Sequence, residues 1–367
     1  MKRVAKSVTS PKKFIVGKNI LANVNDYITL LGDKAYFICD EFIIDRAAKE
    51  GGASFKTKGN QATFEKFNYE CSQGEIDRNR KLVREAGANV VVGIGGGKTL
   101  DTAKATAYYE HLPVVVYPTI ASSDAPCTAL AVIYTSDHQF DHYLYLPSNP
   151  DMVIADTEII AAAPARFFAA GIGDGLTTYF EARACFQASG LNLANMKPSI
   201  VGVGLAKLCY ETIRDNALLA MRSVERKLST PAVEATIEAT IYLSGVGAES
   251  GGLAAAHAIH NGMTAVPSLH QVQHGEKVTF ALLAQLVLEK APQHEFDEVI
   301  QIIKSVGLPL TLKDLGVDEF IEEEWRKVAE LSCAEDDTMC NMPFEVTPDD
   351  VFNAIVTADS IAESYHN

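Results

Sequence analysis

Residues 90–99 read Val90-Val91-Val92-Gly93-Ile94-Gly95-Gly96-Gly97-Lys98-Thr99. Three β-branched residues run into a glycine cluster, and Leu100, Ala103, Ala107 and Tyr108 then fall roughly on one helical face. Strand, glycine turn and helix form a geometry that can hold a phosphate. Glycine lets the backbone approach the oxygens, and the free N–H groups and dipole of the helix N-terminus favour negative charge. The spacing is not that of a P-loop, which needs a glycine where Val92 stands. Nor is it G-x-G-x-x-G, because Lys98 occupies the place of the third glycine. Taken alone, the stretch implies a nucleotide or dinucleotide site, or simply a tight turn after a buried strand.

The surrounding chain alternates strands and helices. Strands are expected over 14–17, 35–39, 62–67, 114–117 and 151–156, with helices over 20–31 and 75–85 and a hairpin from 131–135 and 142–146. This order argues for a mainly parallel, doubly wound sheet. Asp40 closes the second strand, where an acid can accept hydrogen bonds from a ribose diol and repel a 2′-phosphate, favouring NAD over NADP. The same residue could instead cap a helix starting near Glu41. The small and hydroxyl residues from Thr119 to Pro126 follow another strand, at a position where open α/β sheets bind ligands. Beyond Pro164 strand signals nearly vanish, and helical patterns dominate at 176–188, 200–220, 233–246, 278–289 and 296–306. The expected division is an α/β domain over 1–163 and an all-α domain over 164–367.

The net charge of −15 argues against nucleic acid or an anionic membrane surface as the main partner. The basic start, Met1-Lys2-Arg3, leads into no apolar run, and no apolar stretch is long enough to span a bilayer. Seven scattered cysteines without C-x-x-C fit reduced thiols in a cytoplasmic protein.

Four of the nine histidines, His257, His260, His270 and His274, lie within 18 residues. His257 and His260 share a helix face at i, i+3, and His270 and His274 are expected to share one at i, i+4. Such clustering suggests a transition metal such as zinc. A further ligand must come from elsewhere. Gly171-Ile172-Gly173-Asp174-Gly175 places a carboxylate between glycines, expected at the start of a helix, where capping is the alternative use. Asp174 with two of the histidines would leave an open position on a Lewis acid able to polarise an alcohol oxygen. A nicotinamide held at the glycine turn would then accept hydride.

Gly93 to Lys104 resembles the cofactor loop of the iron-containing (group III) alcohol dehydrogenase superfamily. Pro118 to Cys127, Gly171-Ile172-Gly173-Asp174 and His270-Gln271-Val272-Gln273-His274-Gly275-Glu276 resemble its glycerol dehydrogenase branch, in the expected order along the whole chain. The resemblance implies a Rossmann-like parallel-sheet domain followed by an all-helical domain, the dehydroquinate synthase-like fold. It implies zinc- and NAD-dependent, reversible oxidation of glycerol at C2 to dihydroxyacetone, often with other vicinal diols, in a homo-oligomer that is often an octamer. Asp174, His257 and His274 map to the zinc ligands, and Asp124 to a substrate contact. Asp40 maps to the ribose acid. Gly95, Gly96, Gly97, Lys98, Thr99, Leu100 and Asp101 map to the cofactor loop, and Thr119, Ile120, Ala121, Ser122, Thr128, Leu130 and Tyr134 to further cofactor contacts. His260 and His270 map to supporting or structural positions. The iron enzymes carry another histidine four residues after the aspartate; here that position is Thr178, which leaves room for two diol oxygens.

Other polyol dehydrogenases, glycerol-1-phosphate dehydrogenase and dehydroquinate synthase share this fold. The last two need cations for anionic substrates, and residues 241–275 contain no Lys or Arg. A non-catalytic binding protein would require loss of the ligand set or the cofactor loop, and both are present.

Overall fold

The computed structural model describes residues 5–366; Met1, Lys2, Arg3 and Val4 of the basic start lie outside it, as does Asn367. The strands are β1 (Phe14–Gly17), β2 (Lys34–Cys39), β3 (Gln61–Lys66), β4 (Val90–Gly95), β5 (Val114–Pro118), β6 (Leu130–Tyr134), β7 (Phe140–Tyr145) and β8 (Met152–Asp156). Six form one sheet in the order β1-β8-β5-β4-β2-β3, with every pairing parallel. β6 and β7 make a separate antiparallel hairpin. The central strands of the parallel sheet are covered on both faces, which is why β4 and β5 open with unbroken runs of Val. Val92, Ile94, Val115 and Ile154 point to one face, against Leu21, Val24 and Phe55. From the other face, Val91 packs with Ala103 and Ala107.

The strand order reverses between β2 and β4. After β2 the chain turns outward to β3, then returns to β4 and continues to β5 on the opposite side. The carboxyl ends of β2 and β4 therefore flank a switch point, where open α/β sheets leave a crevice for ligands. Asp40 follows one of these strands and Gly96 the other.

After β8 the described residues are helical, led by Ala165–Gln187, Ile200–Val224, Ala255–Met263 and His274–Leu288. Their core is continuous with the sheet: Val116 and Val153 belong to the same buried cluster as Leu176, Ile259 and Leu282. No helix among the described residues is long and apolar enough to cross a membrane.

Two local expectations are corrected. Residues 20–31 form a 3-10 turn (Leu21–Asn23) and one α-turn (Asn25–Ile28) rather than one helix. Ile20, Leu21, Val24 and Ile28 are nevertheless buried, since short turns can present the same apolar face. The Asp156 carboxylate fixes the entry by accepting from the N–H groups of Ile20 and Leu21 at 2.8 and 3.3 Å. The helix expected from residue 176 begins eleven residues earlier, at Ala165. Shortly before His257, Gly252, with a φ of 96°, ends the Ser244–Gly251 helix.

Candidate active site

Asp174 lies in the middle of the Ala165–Gln187 helix, so the expected helix start and capping role are both wrong. The flanking glycines serve close approach instead. A Cβ on Gly171 would overlap the carbonyl of Ala121, and one on Gly173 would strike Thr279 and the carbonyl of Gly275. In return, a Cβ on Gly275 would overlap the carbonyl of Ala170. The Ala165–Gln187 and His274–Leu288 helices thus pack backbone to backbone, bringing Asp174 beside His274 and both against the loop after β5.

Asp174, His257 and His274 converge, each offering a ligand atom within 4.8 Å of the others. His274 Nε2 is 3.2 Å from Asp174 Oδ1, and His257 Nε2 is 3.8 Å from the same oxygen. Tetrahedral ligation with bonds of about 2.0–2.1 Å puts donors roughly 3.3 Å apart, close to the two separations from Asp174 Oδ1, so the residues fit a metal. Two imidazoles and a carboxylate suit zinc and also ferrous iron. Burial would raise the Asp174 carboxyl, but the imidazoles of His274 and His257 outweigh it and hold it below its ordinary value. Burial likewise opposes a charged His257; Glu181, followed by Asp174, overcomes this and lifts the imidazole to about 9.

Both histidines are held from behind. His257 Nδ1 lies 2.5 Å from Glu181 Oε2. His274 Nδ1 is 3.0 Å from His260 Nε2, and His260 Nδ1 is 3.2 Å from Asn261 Oδ1. Asn261 donates in turn to Asp337 at 3.0 Å. Burial, with the charges of His274 and Lys277, pushes the His260 imidazole well below its ordinary value. His260 is therefore neutral, accepting from His274 and donating to Asn261. His270 does not join the cluster or share a helix with His274: it follows the Pro267–Leu269 turn and contacts the Thr264 carbonyl. Residues 271–273 separate it from a helix that begins only at His274.

Asp124 borders the triad. Its N–H donates to Asp174 Oδ2 at 3.1 Å, and its Oδ2 accepts from Ser244 Oγ at 2.9 Å. Ser244 Oγ is 2.8 Å from Thr178 Oγ1. Burial pushes the Asp124 carboxyl up to about 7, reinforced by the charge of Asp174 and opposed by His257 and Ser244. The loop carrying Asp124 is tied down by Lys104, whose fully buried Nζ donates to the carbonyls of Ala125 and Leu130 at 2.7 and 2.9 Å. Glu249 accepts from Ala129 N–H at 3.2 Å and from Asn149.

At the switch point, Asp40 Oδ2 accepts from Gly96 N–H at 2.8 Å and Oδ1 accepts from the Thr99 hydroxyl. The acid thus braces the glycine turn and caps no helix of its own. Asp40, Phe42, Phe67, Gly96, Gly97, Lys98 and Thr99 line a cleft of about 480 Å³. The Gly97–Glu110 helix has no side-chain cap, and a Cβ at Gly97 would meet nothing, so its N-terminus is open to an anion. Lys98 pairs with Glu70 at 2.7 Å and lies 4.5 Å from the Tyr134 ring. Thr119 Oγ1 is buried without a partner among the described residues, as expected of a group awaiting a ligand. Ile120 lies against Gly96, Ser122 is half-buried, and Thr128 is bonded to Ala125. Leu100 and Asp101 face inward: Leu100 is core, and Asp101 accepts from Lys104 and from Val132 N–H.

Glu181, Lys104, Ser244 and Glu249 escaped the sequence reading. A weak signal existed for two of them: Glu181 is seven residues from Asp174, on the same helical face, and Lys104 interrupts a run of small apolar residues.

The iron-containing alcohol dehydrogenase family matches residues 11–157. Over 358 residues the chain is 48% identical to glycerol dehydrogenase of Escherichia coli O6:H1, with 98% of each chain covered. It is 47% identical to glycerol dehydrogenase of Pseudomonas putida, covering 98% of this chain and 99% of that one. The crystal structure of glycerol dehydrogenase from Schizosaccharomyces pombe superimposes with a TM-score of 0.93 at 36% identity, covering 99% of this chain and 92% of the other. Close-packed triad, open glycine turn and whole-length similarity agree: the chain belongs to the iron-containing alcohol dehydrogenase family, in its glycerol dehydrogenase group.

Proposed function

We propose that the protein is a zinc-dependent glycerol dehydrogenase that oxidises glycerol at C2 to dihydroxyacetone with NAD, reversibly, and accepts other vicinal diols. The observation that carries this reading is the Asp174–His257–His274 triad beside Asp124, in a fold whose crevice is lined by an uncapped glycine turn. When bound, zinc supplies a Lewis acid for the substrate hydroxyls and NAD supplies the hydride acceptor. Asp174, His257 and His274 would hold the metal. Asp40 would exchange its bonds within the turn for the ribose diol, and its charge disfavours a 2′-phosphate. Gly95, Gly96, Gly97 and Lys98 would hold the pyrophosphate, while Thr119, Ser122, Thr128, Leu130 and Tyr134 would contact the rest of the cofactor. Asp124 keeps Oδ2 on Ser244 and offers Oδ1 to a substrate hydroxyl; a carboxyl near 7 can also take up a proton there.

A neutral substrate is supported by the surroundings: among the described residues no Lys or Arg hydrogen-bonds Asp124, Asp174, His257 or His274. A homo-oligomer is supported by exposed Ile200, Val201, Leu208 and Leu219 on one long helix. A reducing compartment such as the cytoplasm suits seven unpaired cysteines. The test is steady-state oxidation with NAD and with NADP, using glycerol, 1,2-propanediol and glycerol 1-phosphate, with the product identified by NMR. Dihydroxyacetone formed with NAD, and no turnover of the phosphate ester, is expected. Glyceraldehyde as product, or preference for the ester, would contradict the reading.

A further inference from the structure

Glu181 sits two helical turns beyond Asp174 on the Ala165–Gln187 helix and is 0% exposed. No Lys or Arg pairs with it among the described residues; its oxygens are taken by the start of the next site element. Oε1 accepts the backbone N–H groups of Ala254 and His257, both at 2.9 Å. Oε2 meets His257 Nδ1 at 2.5 Å. An ionised carboxylate only accepts, so Nδ1 carries hydrogen, and in the neutral ring the lone pair lies on Nε2. Nε2 is the atom that faces Asp174. A buried carboxylate without a cation is costly, and positive charge at or beyond His257 offsets that cost.

We propose that Glu181 is the positioning residue of this centre: it fixes the tautomer and ring plane of His257, leaving Nε2 as the metal donor. This rests on the metal-binding reading above. One helix then supplies both a ligand, Asp174, and the group that orients a second ligand from another helix. The chemistry distinguishes orientation from mere helix capping. Glu181→Gln keeps one oxygen, and two backbone N–H groups compete for it. The amide NH2 therefore turns to Nδ1, which must become an acceptor. The ring hydrogen moves to Nε2, and the lone pair needed by a metal is lost. The cap survives and the ligand does not.

The test uses the full-length protein, stripped of metal and titrated with Co2+, as native protein and as Glu181→Gln, Glu181→Asp and His257→Ala. Glu181→Gln is expected to bind about 10–100-fold more weakly, with altered visible absorption of bound Co2+ and with NAD affinity unchanged. Glu181→Asp, which keeps the carboxylate, is expected to recover part of the loss. Native affinity and spectrum in Glu181→Gln would overturn the proposal. Native protein binding no better than His257→Ala would instead overturn the metal reading beneath it. A measurement on the native fold guards against an unfolded variant: zinc-loaded protein should show an exchange-protected downfield imidazole N–H resonance that disappears in His257→Ala. Its absence would also overturn the proposal.

Discussion

A metal entering at His257 has to displace a proton. Burial opposes charge on this imidazole, but Glu181 and Asp174 prevail and lift it to about 9. The metal-free site is therefore protonated at neutral pH, and metal binding at Nε2 releases that proton. Affinity is expected to rise about tenfold from pH 7 to pH 8 and to level off above about 9. The sign for stability is opposite. A raised imidazole stabilises the metal-free fold fully below its unfolded value, and the contribution is lost as pH climbs through about 9. Calorimetric titration at the two pH values checks the first statement; equal affinities without proton release would contradict it. At this scale the sequence revealed residue types but not partners. Asp174, His257 and His274 were visible as ligand-capable residues in suggestive company, and only family resemblance chose among the four histidines. Glu181 shares the helical face of Asp174, but its imidazole partner lies 76 residues away, and nothing local marks a contact closed by tertiary packing.

Pairs of helices assemble the site by touching backbones. Gly275 admits the carbonyl of Ala170, and Gly171 admits that of Ala121. Gly275→Ala is expected to cost about 1–3 kcal/mol through overpacking and to weaken metal binding, because His274 is the adjacent residue. Gly204 on the Ile200–Val224 helix is exposed, with nothing near its Cβ position. Gly204→Ala should therefore be neutral or stabilising by up to about 1 kcal/mol. Thermal melting of both variants decides: equal shifts would mean that the close helix crossing is unimportant. Strands were the most legible elements, since runs such as Val90-Val91-Val92 and Val114-Val115-Val116 have few other uses. Glycine-flanked Asp174 misled, because the same spacing serves a helix cap and a helix crossing, and only the facing backbone distinguishes them. His270 misled for a related reason: i, i+4 spacing implies a shared face only inside one helix, and here the helix begins only at His274.

Across the whole molecule, sheet and helices share one buried cluster, and the site spans their junction. Asp124 and the glycine turn come from the sheet half, and the triad comes from the helices. The alternation of elements up to residue 156, followed by helices alone, could be read directly from the sequence. The junction could not, because it depends on residues such as Ser244 and Glu249 that reach across it to Asp124 and Ala129. We propose a division near residue 163 as a boundary of architecture, with both halves needed for activity. The most direct measurement is NADH formation from glycerol by the purified protein as isolated, after chelation with metal loss verified by elemental analysis, and after zinc is restored. The account predicts turnover, its loss, and its return with zinc. Full turnover in protein verified to be free of metal would contradict it.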